Sequence, residues 1–180
     1  MAGGRKGSGV ARGFPSAEIL GNDDRAYFFK RGCLMKREFM LRAIENAQKA
    51  YSNGDVPVGV IIVKDGEIIS EAYNERELNG NAIAHAETIA IERACKKLGR
   101  WRLSDCEMYV TLEPCPMCAG AILNARLGCV YYALKDSNAG AFGSVLNLNS
   151  YPLLYKVPIE KGECENESRE LLSSFFKARR

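Results

Sequence analysis

From Met35 onward the apolar positions fall into runs of distinct period, and each run predicts an element. Phe39, Met40, Ala43, Ile44, Ala47, Ala50 and Tyr51 recur at spacings of three and four, which places them on one stripe of a helix that Asn53-Gly54 ends. Val58 to Val63 and Glu67 to Tyr73 are β-rich runs joined across Lys64, Asp65 and Gly66, and Asp-Gly tolerates the positive φ of a tight turn, so they predict a hairpin. After a polar stretch at 74–84, His85, Ile89, Ala90, Ala94 and Leu98 form a second helical run stopped by Gly99. Glu107 to Leu112 reads as a buried strand, Pro114 to Ala125 as a turn entering a third helix, and Cys129 to Leu134 as another strand.

Strand, helix, strand at that spacing implies a right-handed crossover and a parallel pair, hence an α/β sheet with an antiparallel hairpin at one side. Residues 135–152, rich in Gly, Asn and Ser, are expected to form a long surface segment. A short strand around Tyr155 to Ile159 and an amphipathic helix from Glu165 to Lys177 complete the expected elements.

Residues 1–34 show no sustained apolar period and carry five glycines in the first thirteen positions, so they are expected to be a disordered extension of a domain at 35–180. An upstream start site or a basic RNA-binding arm are the alternative readings of that segment. It holds six Lys/Arg against three Asp/Glu, whereas residues 35–180 hold nineteen of each, so the net charge of +3 lies entirely in the extension. A neutral main body gives no bulk electrostatic attraction to nucleic acid, and any RNA partner has to be argued from local groups.

The 47% hydrophobic and 26% charged fractions are those of a globular domain. No apolar run reaches the roughly eighteen residues of a membrane span, and none resembles a secretory signal, which leads us to expect a cytoplasmic protein without membrane contact. Seven cysteines, two of them as Cys-x-x-Cys, do not look like a disulfide framework and fit a reducing compartment.

The single histidine, His85, stands in His85-Ala86-Glu87, and Pro114-Cys115-Pro116-Met117-Cys118 follows it. Two thiolates from adjacent positions of a turn plus one imidazole from another element are a donor set that selects zinc. Three protein ligands leave the fourth position open, as catalytic rather than structural zinc sites do. Glu87 is near enough to exchange protons with a water in that position without being a ligand itself. A redox pair or half of a zinc ribbon would also contain Cys-x-x-Cys, and Cys95, Cys106 or Cys129 could supply a fourth ligand; neither reading explains the conjunction with His-x-Glu.

These motifs resemble the signature of the zinc-dependent cytidine and nucleobase deaminases. Over about residues 36–180 the chain is most similar to the bacterial tRNA-specific adenosine deaminases. The similarity includes Asp55-Val56-Pro57-Val58-Gly59, Tyr109-Val110-Thr111-Leu112-Glu113, Ala119-Gly120-Ala121-Ile122, the 136–144 segment, and Leu171-Leu172-Ser173-Ser174-Phe175-Phe176.

The resemblance implies a three-layer α/β/α cytidine-deaminase-like fold with a mixed five-stranded sheet, and a homodimer with active sites close to the interface. It implies one Zn2+ per subunit on His85, Cys115 and Cys118, with Glu87 as the proton shuttle. The partner it implies is a tRNA anticodon stem-loop rather than DNA, whose wobble adenosine is flipped into the pocket and converted to inosine. Asn74, the backbone amide of Ala86, and Asp136 would meet the substrate. Asn138 stands where many relatives carry Lys, and Leu154-Tyr155-Lys156 where they carry Asn-His-Arg, which bears on the detailed RNA contacts and not on the zinc chemistry.

Candidate RNA contacts from charge and aromatic character are Phe142, Lys177, Arg179 and Arg180, with a second basic group at Lys96, Lys97, Arg100 and Arg102 that reads equally well as a solvated face. Phe175 and Phe176 read as packing residues. Two other activities compete: deamination of a free base or nucleoside such as guanine, cytosine or cytidine, and a catalytically silent deaminase-like subunit. The presence of Glu87 speaks against the second.

Overall fold

A computed structural model describes residues 22–179, with side-chain surroundings from Lys36 onward. The chain divides into two units at Cys33 and Leu34, and the description below concerns the second. The elements run α1 (Asn22–Ser52), β1 (Gly59–Lys64), β2 (Glu67–Tyr73), α2 (Arg76–Asn79), α3 (Ala86–Leu98), β3 (Glu107–Leu112), α4 (Pro116–Ala125), β4 (Cys129–Leu134), β5 (Ile159–Lys161) and α5 (Glu165–Lys177). Helix α1 thus begins at Asn22 rather than at Met35, where its apolar stripe starts. Of the expected extension, residues 1–21 lie outside the described residues.

The five strands form one mixed sheet in the order β2-β1-β3-β4-β5, with β1 antiparallel to both β2 and β3, and β3, β4 and β5 parallel. The β1–β2 turn is closed by Asp65 and Gly66, both at positive φ, as the Asp-Gly pair demands. The two faces of the sheet separate by strand alternation. Val60, Ile62, Met108, Val110, Val130 and Tyr132 face α3 and α4, while Ile61, Val63, Tyr109, Tyr131 and Ala133 face Met40, Ala43 and Ile44 of α1 and Leu171 of α5. Helices therefore cover both faces, which makes three layers.

Close approach of α1 to the sheet depends on Gly59, where a Cβ would lie 2.0 Å from the carbonyl oxygen of Ala43 and 2.4 Å from the nitrogen of Ala47. Side-chain volume there would force the helix off the strand. Tyr51 of α1 meets Phe175 of α5 edge to face, ring centroids 5.6 Å apart, joining the two helices of that layer.

Two expectations are corrected. The last strand comes at Ile159–Lys161, beyond Tyr155, whose hydroxyl instead donates to the carbonyl of Leu127 at 2.7 Å. The 135–152 segment is not simply a surface loop, because Ala141 and Phe142 are buried in the core beneath α4. Among the described residues no helix is long and apolar enough to cross a membrane.

Candidate active site

The site is built where two helices begin. His85 is the residue before α3, and Cys115 the residue before α4, with Pro116 in the first position, where its missing N–H costs no hydrogen bond. Both residues have extended backbone and neither side chain caps its own helix, which leaves the imidazole and the thiol free to face each other. Cys118 follows one turn into α4 and is fully buried.

His85 Nδ1 stands 3.7 Å from Cys115 Sγ and 3.5 Å from Cys118 Sγ, and the donor atoms of all three residues lie within 4.8 Å of one another. A tetrahedral zinc with bonds of about 2.3 Å to sulfur and 2.0–2.1 Å to nitrogen sets such donors about 3.5 Å apart, so the arrangement fits that ion. Sequence reasoning had left Cys95, Cys106 and Cys129 open as a fourth ligand; the metal-competent group among the described residues holds His85, Cys115 and Cys118 alone.

The electrostatics suit a metal-binding thiolate pair. A hydrogen bond from the Cys118 thiol holds Cys115 down to about 4, against the upward push of its own burial and with help from His85. Cys118 is displaced upward by the same bond and by burial, so in the metal-free site the pair shares one proton. The start of α4 adds its partial positive charge in favour of thiolate. The hydrogen bond with Cys115 also raises His85, opposed by desolvation.

Glu87, in the first turn of α3, is 4% exposed, and burial raises its carboxyl to about 7. A carboxyl with that affinity both takes up and releases a proton near neutral pH, which is what a general acid–base requires.

His85, Glu87 and Cys115 open onto a cavity of about 170 Å³ whose remaining wall is Val56, Val58, Leu112 and Ala139 with Asn74, Arg76, Glu113 and Asp136. That volume is below the roughly 300–1,000 Å³ of pockets that enclose a whole drug-sized ligand. It has room for a group about the size of a single base, with Val56, Val58 and Leu112 as its apolar wall. Asn74 is buried at the end of β2, its N–H bonded to the carbonyl of Val58 at 3.0 Å. Ala86 is fully buried beside His85.

Of the residues singled out from sequence, the structure brings His85, Glu87, Cys115, Asn74 and Asp136 to one cavity, with Cys118 and Ala86 directly behind. The others lie elsewhere. Phe142 is a core residue, 6% exposed, so the expectation that it stacks on a base is corrected. It was misread because a lone aromatic in a Gly-rich stretch has no period to reveal its burial. Lys177 is exposed at the end of α5, and the Arg179 guanidinium lies 4.2 Å from the Phe175 ring centre and donates to the carbonyl of Gly54. Arg180 lies outside the described residues. In the second basic group, Lys96 pairs with Glu92, Arg100 with Asp105, and Arg102 lies over Trp101.

Three residues without an assigned role prove central. Glu113 is 2% exposed and accepts from the N–H groups of Asp136 (3.2 Å), Phe142 (2.9 Å) and Ser144 (3.1 Å) and from the Ser144 hydroxyl. It is the anchor of the 136–144 loop, and Gly140 is required beside it because a Cβ there would sit 2.5 Å from the Glu113 carboxylate. Asp55, fully buried, accepts from the N–H groups of Glu77 (2.9 Å) and Leu78 (3.1 Å) and so holds α2. Arg76 stands on that helix at the cavity. Both acids lie in motifs that carried the resemblance, but their partners are too distant in sequence to be read from it.

The profile of the MafB19-like deaminases matches residues 35–180. A curated relative, the tRNA-specific adenosine deaminase of Bacillus subtilis, is 43% identical over 140 residues, covering 77% of this chain and 87% of its own. A solved structure from studies of A-to-I editing by tRNA:A34 deaminases at the wobble position superposes with a TM-score of 0.73 at 38% identity, covering 75% of this chain and 99% of that one. The guanine deaminase of Bacillus subtilis is more distant, with a TM-score of 0.52 at 32% identity over 79% of this chain and 92% of its own. The chain belongs to the tRNA-specific adenosine deaminases, within the MafB19-like deaminase fold family.

Proposed function

We propose that residues 35–180 form a zinc-dependent deaminase that hydrolyses the wobble adenosine of a tRNA anticodon to inosine in the cytoplasm. The observation that carries this reading is the meeting of His85, Cys115 and Cys118 at metal-ligating distances beside the buried Glu87, in a cavity sized for one base, on a chain of this family.

His85, Cys115 and Cys118 would hold one zinc ion, which supplies activation of a water molecule by lowering its pKa toward neutrality. Glu87 takes a proton as the new C–O bond forms at C6 of the purine. It returns that proton to N1 and then carries the proton of the new C6 hydroxyl to the amino group, which leaves as ammonia as the C6 carbonyl forms, so that adenosine and water become inosine and ammonia. Asn74 and the Ala86 amide fix the base edge, and Val56, Val58 and Leu112 exclude bulk water from its faces.

A second copy of the chain completes the proposed enzyme. Trp101, Leu153 and Leu154 are exposed around a groove that α4 also lines through Gly120 and Leu123. An apolar face of this kind beside the helix that carries Cys118 suits a homodimer with its active sites near the interface. Sedimentation should give twice the chain mass, and Leu154→Glu should shift the protein to monomer. A wild-type protein that sediments as a monomer at micromolar concentration would contradict the assembly.

The likeness to a guanine deaminase favours a second reading, turnover of a free base. Inosine formation in a synthetic anticodon stem-loop with adenosine at the wobble position, run beside free adenosine, cytidine and guanine, separates the two. Conversion of the stem-loop, with one zinc per chain and with both lost in Cys115→Ala, is the expected result. Turnover of guanine alone would move the function to base salvage.

A further inference from the structure

Of the three acids that line the cavity, Glu87 is buried beside Cys118 and the other two are engaged by loop donors. Glu113 accepts from four donors of the 136–144 loop, and Asp136 accepts from the N–H groups of Asn138 (2.9 Å) and Ala139 (3.2 Å). Of the two acids that flank Arg76 in sequence, Glu75 is bound by Arg93 at 3.1 Å and by Asn79 at 2.8 Å, and Glu77 is exposed on α2. Arg76 is the exception among the cavity's charged groups.

Its guanidinium has no hydrogen-bond, ion-pair or ring partner among the described residues, whereas every other arginine whose side chain is described has one. Arg76 is nonetheless held in place at its backbone. Its carbonyl accepts from the N–H groups of Asn81 (3.0 Å) and of Gly80, and the next two residues are pinned to the buried Asp55 carboxylate. A guanidinium without a bonded partner, carried on a held backbone at the wall of a site that takes one base, is placed to take an anion that arrives with the ligand. A guanidinium meets phosphate oxygens in a two-bond fork, and a polynucleotide places a phosphate on either side of every base.

We propose that Arg76 binds a backbone phosphate of the RNA strand beside the nucleotide whose base enters the cavity, an inference that rests on the tRNA reading above. Arg76 then distinguishes a strand from a free base: the cavity itself reads the base, and the arginine reads the chain that carries it.

The test uses zinc-loaded protein and the anticodon stem-loop, with binding by fluorescence anisotropy and editing rates at a series of salt concentrations. Arg76→Ala should weaken binding and raise KM by about tenfold, with kcat at saturation, zinc content and melting temperature unchanged. The slope of log affinity against log salt should become shallower by about 0.7, the value for one phosphate of a single strand. Arg76→Lys, which keeps the charge and loses the fork, should restore the slope and part of the affinity. A protein that edits the stem-loop but whose Arg76→Ala variant keeps the wild-type KM and salt slope, or loses kcat with the slope intact, would overturn the phosphate role and leave the tRNA reading standing. Wild-type protein that neither binds nor edits the stem-loop would overturn both.

Discussion

Glu87→Gln should abolish editing while leaving the metal bound. The amide keeps the shape and the burial of the side chain but can neither accept the proton of the attacking water nor deliver one to the purine, and general acid–base groups contribute about 10²–10⁴-fold. Zinc content should stay at one per chain, because His85, Cys115 and Cys118 are untouched. The measurement is single-turnover inosine formation beside metal analysis on the same preparation. A zinc-loaded variant within tenfold of wild type would remove Glu87 from the chemistry.

The same substitution has a signature in stability. Burial raises the Glu87 carboxyl from 4.5 in the unfolded chain to about 7 in the folded one, so the folded state binds this proton more tightly. Metal-free wild type should therefore lose stability as pH climbs from 4.5 through about 7, where the buried group is forced to ionise. Glu87→Gln has no proton to lose and should lack that fall, and melting curves of both proteins at pH 5 and pH 8 measure the difference.

Glu113→Ala should produce the largest loss of stability of any single change in the site. It strands three backbone N–H groups and one hydroxyl in a nearly dry interior, each at about 1–3 kcal/mol when left unpaired. The loop can recover some of these bonds from water, so a net cost on the order of 3–5 kcal/mol is expected. At about 2–4 °C per kcal/mol for a chain of this size, the melting temperature should drop by on the order of 10 °C.

Glu113→Gln should not rescue it, since the amide nitrogen would point a donor at donors. Protection against hydrogen exchange at Asp136, Phe142 and Ser144 should collapse in step. A melting point within 2 °C of wild type would show that the loop is held by something other than this carboxylate. The functional consequence runs through Asp136, whose N–H is one of the bonds lost, so the variant that survives should bind the stem-loop more weakly.

The elements that carry a strong internal period were legible in the sequence. β3, β4 and α5 run over the residues expected, and α3 ends at Gly99, which takes the left-handed conformation that the helix terminus needs. The zinc-type ligands were legible for the same reason of locality. Cys-x-x-Cys spans one turn, and His85 and Glu87 are two residues apart, so spacing alone states which groups can share an ion or a proton. The parallel pairing of β3 with β4 also followed from chain order, because a strand, a helix and a strand in succession have one favoured handedness.

What remained hidden was the set of carboxylate contacts that close over long loops. Glu113 is bound to groups 23 to 31 residues away, and Asp55 to groups 22 and 23 residues away. A buried carboxylate that satisfies backbone amides looks, in sequence, like any other acid. Phe142 sits among glycines and polar residues that predict exposure, yet once Glu113 takes up the amides of its loop the ring enters the core at little polar cost. Arg76 was invisible because its significance is the absence of a partner, which exists only when all the neighbours have been placed.

The sequence by itself thus determined the helices and strands, the crossover and the metal-competent donor set, since helical and strand periods and metal-ligand spacing are local properties of the chain. The tertiary structure alone decided the size of the cavity, the loop that closes it and the unpaired charge at its wall. These depend on which distant donors and acceptors satisfy one another once water is excluded.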